Sequence, residues 1–272
     1  MSQEQTNQYE IKSSLTPIFR IGLMGAPGSG KTTSALTFPN PRLLTKDNKQ
    51  PPGTTIIPFY DPTVERSLSD KQGAEISRSG PRSALINFLV KESSKRQGPS
   101  HTEVIDSWTA WMNDFETWSN LLSRNTTIFH TKATKDKPGE LDGFKIHAER
   151  LNMCVEIMAA TRALTCNLII NIHEAIERNI DGIAVGVRPL SKGQFADQFA
   201  SHLTGFFRQV RLFDKENNKE HFVWQVKADS EFYPILPPGF DINRVTLLGK
   251  DKKYMTANYA TLMQAMGTPI TQ

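Results

Sequence analysis

Gly25-Ala26-Pro27-Gly28-Ser29-Gly30-Lys31-Thr32 constrains this chain more than any other stretch. It follows an apolar run, Ile18 to Met24, and precedes a helix-compatible segment, Thr32 to Phe38. Strand, glycine-rich turn, lysine, hydroxyl and helix in that order make the P-loop pattern. Glycines let backbone N–H groups converge on phosphate oxygens without interference from a Cβ. The N-terminus of the following helix adds unsatisfied donors and partial positive charge. Lys31 supplies a point charge for outer phosphates, and Thr32 supplies an oxygen ligand for Mg²⁺. The expected phosphate cradle is Gly25, Ala26, Pro27, Gly28, Ser29, Gly30, Lys31, Thr32 and Thr33.

A chain of 272 residues can bury a core as one large domain or two small ones. Hydrophobic content of 38% with 22% charged residues suits a globular protein with polar connections. No apolar run approaches the length needed to span a bilayer. Met1 to Ser14 is polar, lacks the apolar core of a secretory signal, and reads as part of a disordered leader over 1–16. The expected domain is 17–272. Cys154 and Cys166 are the only cysteines, without CxxC or nearby histidine spacing, so reduced thiols in a cytoplasm are expected rather than a disulfide or zinc site. A net charge of +4 permits nucleic-acid binding without establishing it.

After the P-loop, Phe38-Pro39-Asn40-Pro41 ends the first helix, because proline cannot continue it. Arg42 to Thr45 and Thr54 to Phe59 read as strands around a polar loop, and Pro81 to Arg96 as a helix started by its proline. Thr102 to Ser107 reads as a strand with Asp106 at its C-terminal end. Downstream of a P-loop, such a carboxylate is expected to hold hydrated Mg²⁺ with Thr32. Trp108, Trp111, Phe115, Trp118 and Leu122 then share one helical face. Core packing is the favoured reading of that stripe, a subunit interface the alternative.

Arg124 to Phe144, with Lys132, Lys135 and Lys137, reads as a long mobile insertion, either solvated or touching DNA. Ala148 to Leu164 is expected as a helix whose apolar face includes Leu151, Val155 and Met158. Asn167 to Ile172 is an apolar strand ending at His173-Glu174. His173 therefore falls where open α/β sheets bind ligands, with a packing or capping histidine as the alternative. Ala175 to Lys192 reads as a loop or hairpin carrying Arg178, Arg188 and Lys192. Gln194 to Leu203 is expected as a short helix, Gln209 to Phe213 and His221 to Lys227 as hairpin strands, and Thr256 to Met266 as a closing helix. The fold class is α/β, a P-loop core with a mostly parallel sheet flanked by helices and a β-rich C-terminal extension over 205–272.

Taken in order, Gly-Ala-Pro-Gly-Ser-Gly-Lys-Thr-Thr, Phe-Pro-Asn-Pro, Val-Ile-Asp-Ser, Asn-Ile-His-Glu and Val-Arg-Pro-Leu-Ser-Lys resemble the phage P-loop ATPases of the Sak-four type over roughly Ile18 to Asp229. The resemblance implies a minimal RecA-like core that hydrolyses ATP with Mg²⁺ and works in single-strand DNA binding, annealing or recombination. It implies a homo-oligomer, ring or filament, with a single-strand DNA-binding protein as a further partner. Lys31 and Thr32 would bind phosphate and metal, Asp106 the metal-bound water, and Asp47 would activate the attacking water, with Glu65 and Glu174 as substitutes. The family shows an Asp-Thr-Glu-like pattern after the second strand, where this chain has Thr45-Lys46-Asp47. His173 would sense the γ-phosphate. Arg178 would contact DNA, while Arg188 and Lys192 would contact DNA or a neighbouring subunit's nucleotide. A P-loop small-molecule kinase and a nucleotide-gated, non-catalytic DNA-binding scaffold are the competing functions.

Overall fold

The structure is a computed structural model that describes residues 17–45, 55–56, 85–86, 88–92, 95–125, 130–131, 139–191, 195–215 and 218–268. Its centre is a mixed sheet. Strands β1 (Arg20–Gly25), β2 (Pro41–Thr45), β3 (Thr55–Ile56), β4 (Gly98–Asp106), β5 (Cys166–Arg178) and β7 (Gly205–Asp214) carry the parallel part. The order is β3-β2-β4-β5-β1-β7, continued by β8 (Lys219–Gln225) and β9 (Tyr254–Thr256) as antiparallel neighbours. Strand β6 (Ala184–Pro189) pairs antiparallel with the far half of β5.

Successive side chains on a strand point to opposite faces, so each central strand feeds two cores. On one face, Met24, Leu44, Ile105, Ile170 and Ile172 meet helix α2 (Trp108–Asn125), helix α3 (Gly143–Thr161) and the short α4 (Phe195–Gln198). On the other, Ile21, Leu23, Leu43, Val104 and Ile169 meet α1 (Lys31–Ala35), Trp224 and α5 (Tyr259–Ala265). Both faces are covered, which is why these strands read as continuous apolar runs rather than alternating ones. Among the described residues, no helix is long and apolar enough to cross a membrane.

The aromatic stripe is core. Trp108, Trp111 and Phe115 are buried, and Trp108 stacks on Phe195 at 5.5 Å between centroids. The Trp118 and Leu122 side chains lie outside the described residues. Cys154 and Cys166 are free and buried, and burial pushes the Cys154 thiol up to about 12.

Several sequence expectations need correcting. Helix α3 begins at Gly143, five residues earlier than Ala148, because the Asp142 side chain accepts from the N–H groups of Phe144 and Lys145. Its buried face is Ile146, Met153, Cys154, Ile157 and Met158, so Val155 points to solvent. The segment expected as a mobile insertion over Arg124 to Phe144 begins inside α2 and ends inside α3, and His130 bridges to Leu141. Lys132, Lys135 and Lys137 lie outside the described residues. Strand β5 does not end at Ile172 but runs on to Arg178, because β6 takes over its hydrogen bonds. The C-terminal strands are an extension of the same sheet through the β1–β7 pairing, not an appendage to it. In the stretch expected as a helix from Pro81 to Arg96, the described Leu85 and Ile86 are helical and Phe88–Glu92 is a turn of π-helix rather than α-helix.

Between two neighbouring strands, Arg42 on β2 grips Glu103 on β4. Its Nε and Nη2 donate to the two carboxylate oxygens at 3.0 and 2.8 Å, and Arg96 stands 3.7 Å away. The Glu103 side chain is fully buried. Burial pushes its carboxyl above the usual range, and the Arg42 guanidinium pulls against that.

Candidate functional site

The loop between β1 and α1 is shaped by two glycines with positive φ. Gly30, at φ 85°, is the residue before α1, and a Cβ there would overlap the ring of Phe222 on β8. Gly28, at φ 78°, has nothing within 4 Å of where its Cβ would be, so the loop is open on that side to a ligand. Gln209 on β7 fastens the loop from below. Its Nε2 donates to the Ser29 carbonyl at 2.9 Å and to Ser34 Oγ at 2.8 Å, while its Oε1 accepts from Trp224 Nε1 at 3.1 Å. Gln209 is fully buried. Helix α1 spans only Lys31–Ala35, so any helix-end attraction for an anion would be small beside that of the loop N–H groups and Lys31.

Lys31 folds back over the loop. Its Nζ donates to the carbonyls of Gly25 and Ala26 at 2.7 and 2.8 Å and reaches Ser29 Oγ at 3.4 Å. Burial lowers its pKa, and the charges of Asp106 and Glu174 oppose the fall. Thr32 Oγ1 donates to Asp106 Oδ2 at 2.5 Å, so a hydroxyl from α1 and a carboxylate from β4 stand side by side. Thr33 is exposed on the next position of α1. Ala26 and Pro27 are also exposed.

Strand β5 lies between the P-loop strand and the Asp106 strand. Gly25 is level with His173, and Asp106 is level with Asn171 on one side and Thr45 on the other. The His173 backbone is held from both sides: its N–H donates to Thr109 Oγ1 at 3.1 Å, and its carbonyl accepts from Leu190 at 2.7 Å. Glu174 is engaged by Arg208, whose Nε donates to it at 2.9 Å while Nη1 reaches Glu231 at 2.9 Å. Burial alone would lower the Arg208 pKa, but the bonds and charges of the two glutamates raise it.

Beyond the sheet, β5 and β6 form a hairpin. Its base is tied by the Val187 N–H donating to the Glu231 carbonyl at 3.2 Å. Arg178 donates to the Gly182 carbonyl at 2.7 Å, and Arg188 stands 3.5 Å from Glu177 with both side chains about half exposed. Ile176, Ile180, Ile183 and Val185 are exposed on the same hairpin. The structure thus brings Lys31, Thr32, Asp106 and His173 to one end of the sheet and places Arg178 and Arg188 on the hairpin that leaves it. Asp47, Glu65 and Lys192 lie outside the described residues.

Sequence reasoning missed Gln209, Asn171 and Arg208. The available signal was a polar residue inside an apolar strand, as in Leu168-Ile169-Ile170-Asn171-Ile172 and Phe206-Phe207-Arg208-Gln209. A polar residue in such a place needs a partner or a task.

The donor set fits Mg²⁺ with a polyphosphate. Among the described residues, no group of three or more His, Cys, Asp or Glu side chains could hold a metal by itself. A hydroxyl and one carboxylate oxygen are what Mg²⁺ takes from a protein when phosphates and waters complete its octahedron. The chain matches no protein-family model, and no curated protein matches it.

Proposed function

We propose that this chain binds ATP with Mg²⁺ and hydrolyses it on a RecA-like core, with single-stranded DNA engaging the β5–β6 hairpin. The observation that carries the reading is the convergence of Lys31, Thr32 and Asp106 from two separate strand ends, with β5 between them. The open side at Gly28 admits phosphate oxygens to the loop amides. The Lys31 ammonium exchanges loop carbonyls for the outer phosphates, a stronger, charge-assisted bond. Bound Mg²⁺ supplies charge neutralisation at the phosphate oxygens. Thr32 would hold the metal through its hydroxyl, and Asp106, beside it, would hold a metal-bound water.

Asp47 remains the proposed water-activating carboxylate. Strand β2 delivers the chain to Thr45, level with Asp106, two positions before it. Glu174 is the poorer base because Arg208 already occupies it. His173, level with Gly25, is the proposed γ-phosphate sensor, and its strand continues without a break into the hairpin. That continuity gives nucleotide and DNA a shared element. Arg188 and Lys192 serve either DNA or the nucleotide of a neighbouring copy in a homo-oligomer, and a single-strand DNA-binding protein is the further partner.

Product analysis tests the function. Purified protein with Mg²⁺ and ATP is expected to release inorganic phosphate, faster when single-stranded DNA is added. A phosphorylated small acceptor would instead make it a kinase, and bound but unhydrolysed ATP would make it a gated scaffold. For the hairpin, Arg178→Ala is expected to weaken single-strand DNA binding and to reduce the salt slope by about 0.7. Fluorescence anisotropy over a salt series reads this. An unchanged slope would remove Arg178 from the DNA contact, and its bond to Gly182 would then be its whole role.

A further inference from the structure

Asn171 is fully buried in the centre of β5, and neither its Nδ2 nor its Oδ1 has a hydrogen-bond partner among the described residues. An unpaired buried amide destabilises a fold, and a central strand surrounded by leucine and isoleucine offers an apolar residue the same space. Register fixes where the amide points. Asn171 is level with Asp106 on β4 and with Leu23 on β1. Two rungs lower, Ile169 shares the α1-side core with Ile21 and Val104. Side chains alternate along a strand, so Asn171 faces the α1 side with Asp106 and Leu23. It is level with the carboxylate that bonds Thr32, and with Leu23, two residues before Gly25, whose carbonyl accepts from Lys31.

We propose that Asn171 is a positioning residue for the Mg²⁺ site, its amide bonding the Asp106 carboxylate through one buried water. The proposal rests on the nucleotide reading above. A carboxylate with two oxygens has more acceptor capacity than Thr32 uses, and an amide can donate to a water that donates in turn to the carboxylate. A fixed carboxylate presents the same oxygen to the metal shell each time, which lowers the Mg²⁺ concentration needed for tight nucleotide binding. Buried waters are found where otherwise unsatisfied buried polar groups can hold them, and the Asn171 amide beside the Asp106 carboxylate supplies such groups.

The test uses the full chain and two readouts, neither of them turnover. The first is the melting temperature without ligand. The second is the Mg²⁺ midpoint for binding a non-hydrolysable ATP analogue, by titration calorimetry. Asn171→Leu is expected to change the melting temperature little, because the amide's bond to the water is exchanged for apolar packing, and to raise the Mg²⁺ midpoint about tenfold, the usual size of an outer-shell effect. Asn171→Ala and Asn171→Ser form a second pair in case leucine disturbs the packing. Alanine should raise the midpoint as leucine does, while serine, which keeps room and a hydroxyl for the water, should keep it within about threefold of wild type. An unchanged midpoint in both the leucine and alanine variants would overturn the proposal and leave the nucleotide reading standing. Wild-type protein that binds the analogue at no Mg²⁺ concentration would overturn that reading and this proposal together.

Discussion

Replacing Lys31 with alanine is expected to lower ATP hydrolysis by about 10²–10³-fold and to weaken ATP binding. Among the described residues the ammonium's hydrogen-bond partners are two carbonyls and a hydroxyl, and a phosphate would outbid all of them. Burial makes its charge costly, and Asp106 and Glu174 are the nearby charges that sustain it. A charge in that setting acts strongly on a transferring phosphoryl group, because little water lies between to screen it. Loss of the loop itself is the competing explanation, and Gln209 argues against it. Gln209 holds Ser29 and Ser34 without involving Lys31, so the loop keeps its anchor in the variant. The melting temperature should accordingly stay close to wild type while phosphate release disappears. A Lys31→Ala protein that melts normally and releases phosphate at the wild-type rate would end the P-loop reading.

The parts of this site that were legible in the sequence are those whose chemistry is local. A P-loop is specified within eight consecutive residues, and Asp106 announces itself at the end of an apolar strand before an aromatic helix. Trp108, Trp111 and Phe115 were legible as core because their spacing alone puts them on one face. Gln209 was not legible, because its role depends on β7 lying beside β1, a pairing between segments about 180 residues apart. The same pairing decides that the C-terminal strands extend the sheet, and no periodicity within them says so. The far half of β5 was missed for a different reason. Past His173 the strand leaves β1 and pairs with β6 alone, and Ile176-Glu177-Arg178 is exposed, so the buried-strand pattern stops while the strand does not. Val155 was assigned to the core by its apolar identity. The phase set by Met153, Cys154, Ile157 and Met158 puts it on the outer side.

The second large effect concerns the fold rather than the site. Arg42→Met is expected to cost about 3–5 kcal/mol, the usual result of stripping one partner from a buried ion pair. In a chain of this size that lowers the melting temperature by roughly 10 °C. Methionine keeps an unbranched apolar stem against Phe88, over which the Arg42 guanidinium now lies at 4.7 Å, so lost packing is a small part of the effect. The main loss is a fully buried Glu103 carboxylate without its two-pronged partner. The pH dependence has a definite sign. Burial raises the folded pKa of Glu103 above its ordinary 4.5, against the pull of Arg42. A raised carboxyl stabilises the fold relative to higher pH. That contribution is full below the unfolded pKa and is lost as pH rises through the folded value. Removing Arg42 raises the folded value further, so the variant's deficit should be largest at pH 8 and shrink toward pH 5. Denaturant melts at the two pH values read this directly. A deficit that is the same at both would mean Glu103 is not the group left stranded. Adding Glu103→Leu to Arg42→Met should then recover most of the loss, because a buried pair replaced by apolar groups is close to neutral where a broken pair is not. Arg96, 3.7 Å from the same carboxylate and with a side chain only 19% exposed, loses a partner in that double variant, so the recovery should stop short of complete.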